Sequence, residues 1–310
     1  MVGLREVRVG TRGSRLALIQ TEYVIKRLQE LNDCNFKFTV VKIKTTGDKI
    51  EESTIKEIGK GIFEREIDEA LLKGEIDLAV HSMKDVPTSL PVGVSIVAVP
   101  ERLSPCDAFV SNRYPSLSSM PKGATIGTSS LRRAAQIKCL RRDLNIVPLR
   151  GNVDTRIRCL MEEKYDGIVI AEAALIRLGF GGKWEQMTIE LFPTSPGQGA
   201  LAVTARSQDF DIRSLASRIN SPDDMEEVLA EREFLKIIGS GCSAPVGFTA
   251  RADGNFLRAI CGLYALDGSK SKVFTFSFPR GDPEGAGRKA AEVVMNDNEI
   301  RWFWREYGEG

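Results

Sequence analysis

Histidine is nearly missing from this 310-residue chain, which has only His81. A Ser-His-Asp relay would have to use that ring, and the adjoining Ser82 cannot present its hydroxyl to it in the usual way. Proton transfer therefore falls to a carboxylate or a lysine. Patterned cysteine is missing too. Cys34, Cys106, Cys139, Cys159, Cys242 and Cys261 are widely spaced and form no C-x-x-C, which argues against a disulfide framework or a structural zinc site. Reduced thiols in a cytoplasmic protein are expected. No apolar run is long enough to cross a membrane, and the opening MVGLREVRVG has no signal-peptide core. Nor is there a surplus of one charge: 43 basic side chains face 42 acidic ones, for a net +1. A general polyanion binder would show such a surplus, so any anion site must be local.

What is present reads as a soluble α/β protein of more than one domain, with 42% hydrophobic and 27% charged residues. Short strands at Val7–Gly10, Phe36–Thr45, IDLAVHS and VSIVAVP alternate with helices over Arg15–Leu31 and Phe63–Leu72. The polar stretch between Thr45 and Gly61 reads as a surface loop, with GKGIFERE as the hinge of a lid. PERLSPCDAFVS reads as a crossing to a second domain, where strands and helices alternate again. PTSPGQGALAVTAR is a second proline-glycine joint that leads back. A helix from Asp223 to Ile238 then precedes three strands separated by Asp253-Gly254 and Asp267-Gly268 hairpins, and a last helix covers Pro283–Met295. The expected division is 1–99 with 200–217, 100–199, and 218–310. The tail RWFWREYGEG has no assigned task.

VRVGTRGSRLA and ATIGTSSLRRA both run strand, Gly-Thr, a serine turn, then a helix that opens on arginine. Free N–H groups and hydroxyls at a helix start bind anions, so two lobes carrying such starts would enclose an anion-binding cleft. Arg12, Arg15, Arg132, Arg133, Arg150, Arg156 and Arg177 cluster at strand ends and helix starts. Their planar forks suit a ligand rich in carboxylates or phosphates, whereas arginines on solvated helix surfaces would need no ligand. Lys84 and Asp85 follow a strand directly: they read either as a surface ion pair in a turn or as a proton-shuttling carboxylate beside a cation. Phe63 reads as core or as an aromatic shelf for the ligand, and His81 as a hydrogen-bonded structural residue. Cys242, in the glycine-flanked loop GSGCSAPVG, reads as an incidental loop thiol or as a point of attachment.

Taken in order, GTRGSRLAL, GKGIFERE, DLAVHSMKDVP, DAFVS, GTSSLRRAAQ, LRGNVDTR, PGQGAL and GCSAPVG resemble the porphobilinogen deaminase (hydroxymethylbilane synthase) family over essentially the whole chain. The resemblance implies two similar lobes like those of periplasmic binding proteins, with mixed sheets, and a small α+β domain with a three-stranded antiparallel sheet. It implies a dipyrromethane cofactor held through a thioether at Cys242. Onto this primer four porphobilinogen molecules condense with loss of ammonia, and hydrolysis then releases the linear tetrapyrrole. Asp85 matches the catalytic carboxylate, and Arg12, Lys84, Arg132, Arg133, Arg150, Arg156 and Arg177 match the carboxylate binders. Ser14, Thr128, Ser129, Ser130 and Gln198 match polar positions of the site, and Phe63 matches a residue that stacks near the incoming ring. The implied protein is a cytoplasmic monomer acting on porphobilinogen, with no metal, nucleic-acid or membrane partner. One departure is Ser240-Gly241, where many members have Gly-Gly before the cysteine. The rival reading, a two-lobed solute-binding protein for an organic anion, fits the arginines but leaves Asp85 and Cys242 without a task and expects an export signal.

Overall fold

A computed structural model describes residues 5–31, 36–44, 64–239 and 244–307. Two compact units result: Met1–Leu103 with Ala200–Met225, and Ser104–Gly199 with Glu226–Gly310.

The first unit contains strands β1 (Arg5–Arg12), β2 (Phe36–Ile43), β3 (Leu78–Ser82), β4 (Val94–Ala98) and β10 (Leu201–Arg206), in the order β2-β1-β3-β10-β4. β1 runs parallel to β2 and β3, while β10 runs antiparallel to β3 and β4. Val7, Val9, Leu78 and Val203 are fully or almost fully buried at the centre, with helices α1 (Arg15–Glu30) and α6 (Phe210–Ser217) contributing Val24, Leu28, Ile212 and Leu215 to the same core. Helix α2 (Arg65–Leu72) covers a second cluster with Ile67 and Leu71 against Ile76, Ala79 and Val94.

The second unit repeats this scheme. Its strands β5 (Asp107–Val110), β6 (Thr125–Gly127), β7 (Asn145–Val147), β8 (Gly167–Ala171) and β9 (Glu185–Met187) lie in the order β7-β6-β8-β5-β9. β6 is parallel to β7 and β8, and β5 is antiparallel to β8 and β9. In both sheets the fourth strand is the reversed one, and in both it directly follows a crossing between the units. The short Gly-Thr likeness is thus the visible part of a duplicated topology. Ser14 caps α1 by accepting from the Ala17 N–H at 3.3 Å, and Ser130 caps helix α3 (Leu131–Leu140) from the same place after β6, accepting from Arg133. Helices α4 (Val153–Met161) and α5 (Glu172–Leu178) complete this layer. The stretch around DAFV, read as a linker, is a fully buried strand.

The rest of this unit is the antiparallel sheet β11 (Val246–Asp253), β12 (Phe256–Tyr264) and β13 (Ser271–Pro279), with helices α7 (Pro222–Ile238, part of this unit from Glu226 onward), α8 (Pro283–Asn296) and α9 (Arg301–Tyr307). Glu231 on α7 accepts from the Ala250 N–H of β11 at 2.8 Å and the Gly197 N–H at 2.6 Å. Thr194 O accepts from Phe248 N–H at 2.8 Å. Gly247 permits this approach, since a Cβ there would lie 2.3 Å from the Pro193 carbonyl oxygen. Of the tail that sequence left unexplained, Arg301–Tyr307 form α9. Its Phe303 is fully buried among Phe234, Phe248 and Ile300, with edge contacts to Trp302 and Trp304. Among the described residues no helix is long and apolar enough to cross a membrane.

Truncating a fully buried phenylalanine costs about 3–5 kcal/mol. Phe303→Ala is therefore expected to lower unfolding free energy by that amount in urea titration, whereas Phe210→Ala, at a side chain 74% exposed, changes it by less than about 0.5 kcal/mol.

Candidate active site

In the first unit the register of β1 on β3 (Val9 opposite Leu78, Gly10 opposite Ala79) delivers Arg12 and the His81-Ser82 pair to one sheet edge, at the carboxyl ends of the parallel strands. Open α/β sheets bind ligands at this edge. Arg12 is half-buried, and Ser14 follows on the turn into α1. β3 passes into a single 3₁₀ turn, Met83–Asp85. The turn is closed by Val86 N–H donating to Met83 O at 3.1 Å and is tied to the start of β10 by Met83 N–H donating to Ala200 O at 3.0 Å. Lys84 is half-buried on it and Asp85 is exposed. Behind the turn Gln20 donates to Ser82 Oγ at 3.0 Å, and His81 Nε2 lies 3.1 Å from Thr204 Oγ1. Burial and then the charge of Arg12 push the His81 pKa down to about 4, so the ring is neutral at physiological pH.

Glu64 belongs to this edge, though sequence reasoning passed over it. It sits at the start of α2, 4% exposed. Burial, followed by the Asp85 charge, pushes its pKa up to about 8 against the pull of Arg12. Asp68, one turn along, is pushed up to about 6 by burial. The only sequence signal was acidic residues in a segment that had to begin a helix covering the core.

In the second unit Thr128, Ser129 and Ser130 form the turn from β6 into α3. Ser129 Oγ donates to Leu149 O at 3.0 Å, and Thr128 Oγ1 accepts from Ser130 N–H at 3.2 Å. Arg132 and Arg133 lie behind this turn, each 5% exposed, against the fully buried Asp107. Arg132 Nη2 reaches Asp107 Oδ2 at 2.8 Å, and Arg133 Nε and Nη2 reach Oδ1 at 3.0 and 2.6 Å. Gln198 donates to Asp107 Oδ1 at 2.9 Å and to Pro105 O at 2.7 Å, and accepts from Arg133. Burial alone would raise the Asp107 pKa, but the two guanidiniums hold it well below the carboxylate range. Two cations against one anion leave a buried surplus of one positive charge, next to the amino end of α3.

Arg150, exposed, and Arg156, half-buried, frame the start of α4, with Arg156 Nε donating to Gly151 O at 2.8 Å. Arg177, half-buried near the end of α5, donates to Gly199 O at 2.8 Å. Each unit thus collects its own group: Arg12, Ser14, Lys84 and Asp85 in the first, and Thr128, Ser129, Ser130, Arg150 and Arg156 in the second, with Arg132, Arg133 and Gln198 behind them. Phe63, Cys242 and the stretch 47–60 lie outside the described residues. Among the described residues no cluster of His, Cys, Asp and Glu is arranged to hold a metal ion.

Fold and site define an α/β enzyme of two mixed-sheet lobes with an attached antiparallel domain, equipped with localised cations and one strand-end carboxylate. The family model "Porphobilinogen deaminase, dipyromethane cofactor binding domain" matches residues 7–214, and that for the C-terminal domain of porphobilinogen deaminase matches 225–296. A porphobilinogen deaminase of Syntrophomonas wolfei is 45% identical over 299 residues, covering 94% of this chain and 96% of that one. That of Bacillus subtilis is 42% identical over 298 residues, covering 94% of each. A probable porphobilinogen deaminase of Pyrobaculum neutrophilum is 41% identical, covering 93% of this chain and 97% of that one. Among solved structures, a putative methionine-binding lipoprotein of Bacillus subtilis aligns with TM-score 0.45 and 13% identity over 70% of this chain and 91% of that one. The chain belongs to the porphobilinogen deaminase family. It is a transferase with hydroxymethylbilane synthase function in tetrapyrrole biosynthesis, and its cofactor is dipyrromethane.

The residues fit that cofactor, because a group bearing several carboxylates finds a positive surplus, serine hydroxyls and a helix start in the second unit. Asp107→Asn is expected to cost about 3–5 kcal/mol in chemical denaturation by leaving two buried guanidiniums uncompensated. The native Asp107 pKa is depressed, so this contribution is present above the unfolded value of about 3.9 and disappears only as pH falls through the folded one. The stability gap between the two proteins therefore persists at pH 5.

Proposed function

We propose that Asp85 is the catalytic carboxylate and that Cys242 carries the dipyrromethane through a thioether. The observation that carries the first assignment is a solvent-facing carboxylate on a rigid turn, at the same sheet edge as Arg12 and beside Lys84. Such a group meets developing positive charge on an incoming ring without having to reorganise. In each addition the C–N bond of porphobilinogen breaks and its electron pair leaves with ammonia. The dipyrromethane, when bound, would supply the free pyrrole α-carbon for the first C–C bond, and the ring last added supplies it thereafter. Asp85 takes the proton which that carbon gives up and passes it to the ammonia or to solvent, so that ammonium leaves and the carboxylate is restored.

Arg12, Lys84, Arg150, Arg156 and Arg177 bind the acetate and propionate groups directly, being exposed or half-buried. Arg132 and Arg133 contribute charge and remaining N–H groups from behind the Ser129-Ser130 turn, and Gln198 holds them in place. Ser14, Thr128, Ser129 and Ser130 add hydroxyl and helix-start donors, and Phe63 stacks on the incoming ring. The proposal includes the division 1–99 with 200–217, 100–199 and 218–310, and a cytoplasmic monomer with no nucleic-acid or membrane partner. Support for the third division is the separate core that packs β11, β12 and β13 against α7, α8 and α9.

Protein made in a porphobilinogen-producing cell is expected to exceed its sequence mass by one dipyrromethane, and Cys242→Ser to lack that mass and most activity. Asp85→Asn is expected to keep the added mass and lose about 10²–10⁴-fold in kcat. Unmodified wild type, or near-normal turnover by Asp85→Asn, would remove the corresponding assignment.

A further inference from the structure

Glu231 stands on α7 with no exposed surface, where an apolar side chain would fill the space without the penalty of burying a carboxyl. Part of the reason is the edge of β11. Four helical residues advance about 6 Å and two strand residues about 6.8 Å, so carboxylates one helical turn apart can meet alternate N–H groups of a strand. Glu227 accordingly accepts from Ala252 N–H at 2.9 Å, and Glu231 Oε1 from Ala250 N–H at 2.8 Å. The next N–H along this edge, that of Phe248, goes to Thr194 O. Glu231 does more than close the edge, because its Oε2 accepts from Gly197 N–H at 2.6 Å. Gly197 and Gly199 have φ of +76° and +87°, left-handed backbone that turns the chain on either side of Gln198. Three consecutive residues of this joint are thus gripped by different groups. Glu231 takes the Gly197 N–H, Asp107, Arg133 and Pro105 O engage the Gln198 side chain, and Arg177 donates to Gly199 O. A carboxylate accepts through both oxygens, whereas glutamine would turn an NH2 toward one of the two donors.

We propose that Glu231 is a positioning residue for the reaction: by holding the edge of β11 and the Gly197 N–H at once, it fixes the joint from which Gln198 orients Arg133 and on which Arg177 rests, so that these cations meet substrate carboxylates in a set arrangement. This rests on the reading of Arg133 and Arg177 as carboxylate binders. α7 and β11 are also the elements on either side of Cys242 in the sequence. The same side chain therefore ties both neighbours of the proposed attachment segment to that joint.

The test compares cofactor-loaded Glu231→Gln with Glu227→Gln, which alters the same helix and the same sheet edge one turn earlier. In Glu231→Gln, KM for porphobilinogen is expected to rise about tenfold with kcat falling less than about threefold, because displaced binding groups weaken the hold on substrate more than they slow proton transfer. In Glu227→Gln, KM is expected to stay within about twofold of wild type even where stability falls by a similar amount. An equal rise in the two variants, or a rise in neither, makes Glu231 a purely structural group and overturns the proposal. Peptide-resolved hydrogen exchange supplies a readout apart from turnover. Residues 195–201 are expected to exchange faster in Glu231→Gln than in wild type, and at the wild-type rate in Glu227→Gln. Unchanged exchange over that stretch in Glu231→Gln removes the grip on the joint and overturns the proposal as well. Gly197→Ala disturbs the joint without touching α7, by putting a side chain at a backbone φ of +76°. It is expected to raise KM in the same direction, and a normal KM in this variant counts against the proposal even where Glu231→Gln does not fold. Arg177→Ala probes the binder reading by itself: a normal KM there removes Arg177 from the site, while the exchange rates still report whether Glu231 holds the joint.

Discussion

A carboxylate out of contact with water must be matched by cations or give up its charge, and Asp107 is matched twice. It stands at the first position of β5 with no exposed surface, and Arg132, Arg133 and Gln198 converge on it. Much of the second unit follows from that demand. Gln198 comes from the segment by which the chain leaves this unit, while Pro105 and Asp107 come from the segment by which it enters. The two segments are therefore tied side by side. Arg132 and Gln136 both donate to the Pro193 carbonyl, the next residue Thr194 pairs with β11, and β11 pairs with Glu231. One ion cluster consequently aligns the crossing segments, the start of α3 and the antiparallel sheet.

The two units use one topology for different electrostatic ends. Each places a Gly-Thr strand end and a serine-capped helix at the carboxyl edge of its parallel strands. The first sets the carboxylate Asp85 at that edge together with Arg12 and Lys84. The second surrounds it with guanidiniums and hydroxyls. A protein with net charge +1 can in this way offer a polycarboxylate ligand a positive site without being basic overall, because its positive charge is concentrated.

Motif spacing disclosed a good deal of this. The strand-turn-helix repeats, the Asp253-Gly254 and Asp267-Gly268 hairpins and the strand-end position of Asp85 all depend on neighbours within a few residues, and such local signals survive in a linear reading. Asp107 did not stand out because its partners lie 25, 26 and 91 residues away. β5 looked like a linker since four buried residues after two prolines have no periodicity to show, and only pairing with β8 and β9 makes them a strand. The duplicated sheet order was likewise invisible, because each reversed strand is supplied by the chain just after it crosses between units. Arg132 and Arg133 were read as ligand binders from type and position. Their burial, and the identity of the acid they hold, came only from tertiary contacts. Cys242 and Phe63 owe their assignment to resemblance alone.

Glu64 and Asp107 show how cation count decides the fate of a buried acid. Both are at most 4% exposed, and burial is the largest influence on each, always toward the neutral form. Asp107 has two guanidiniums in direct contact and ionises more readily than in water. Glu64 is acted on by one, Arg12, while the charges of Asp85 and Asp68 oppose its ionisation. A rise from 4.5 to about 8 corresponds to a penalty on the ionised form of about 5 kcal/mol. Moving a second arginine beside Glu64 would remove that penalty, but it would also give Asp85 a permanently charged acidic neighbour. Two guanidiniums at Asp107 and a single one acting on Glu64 thus leave one buried acid charged and the other neutral.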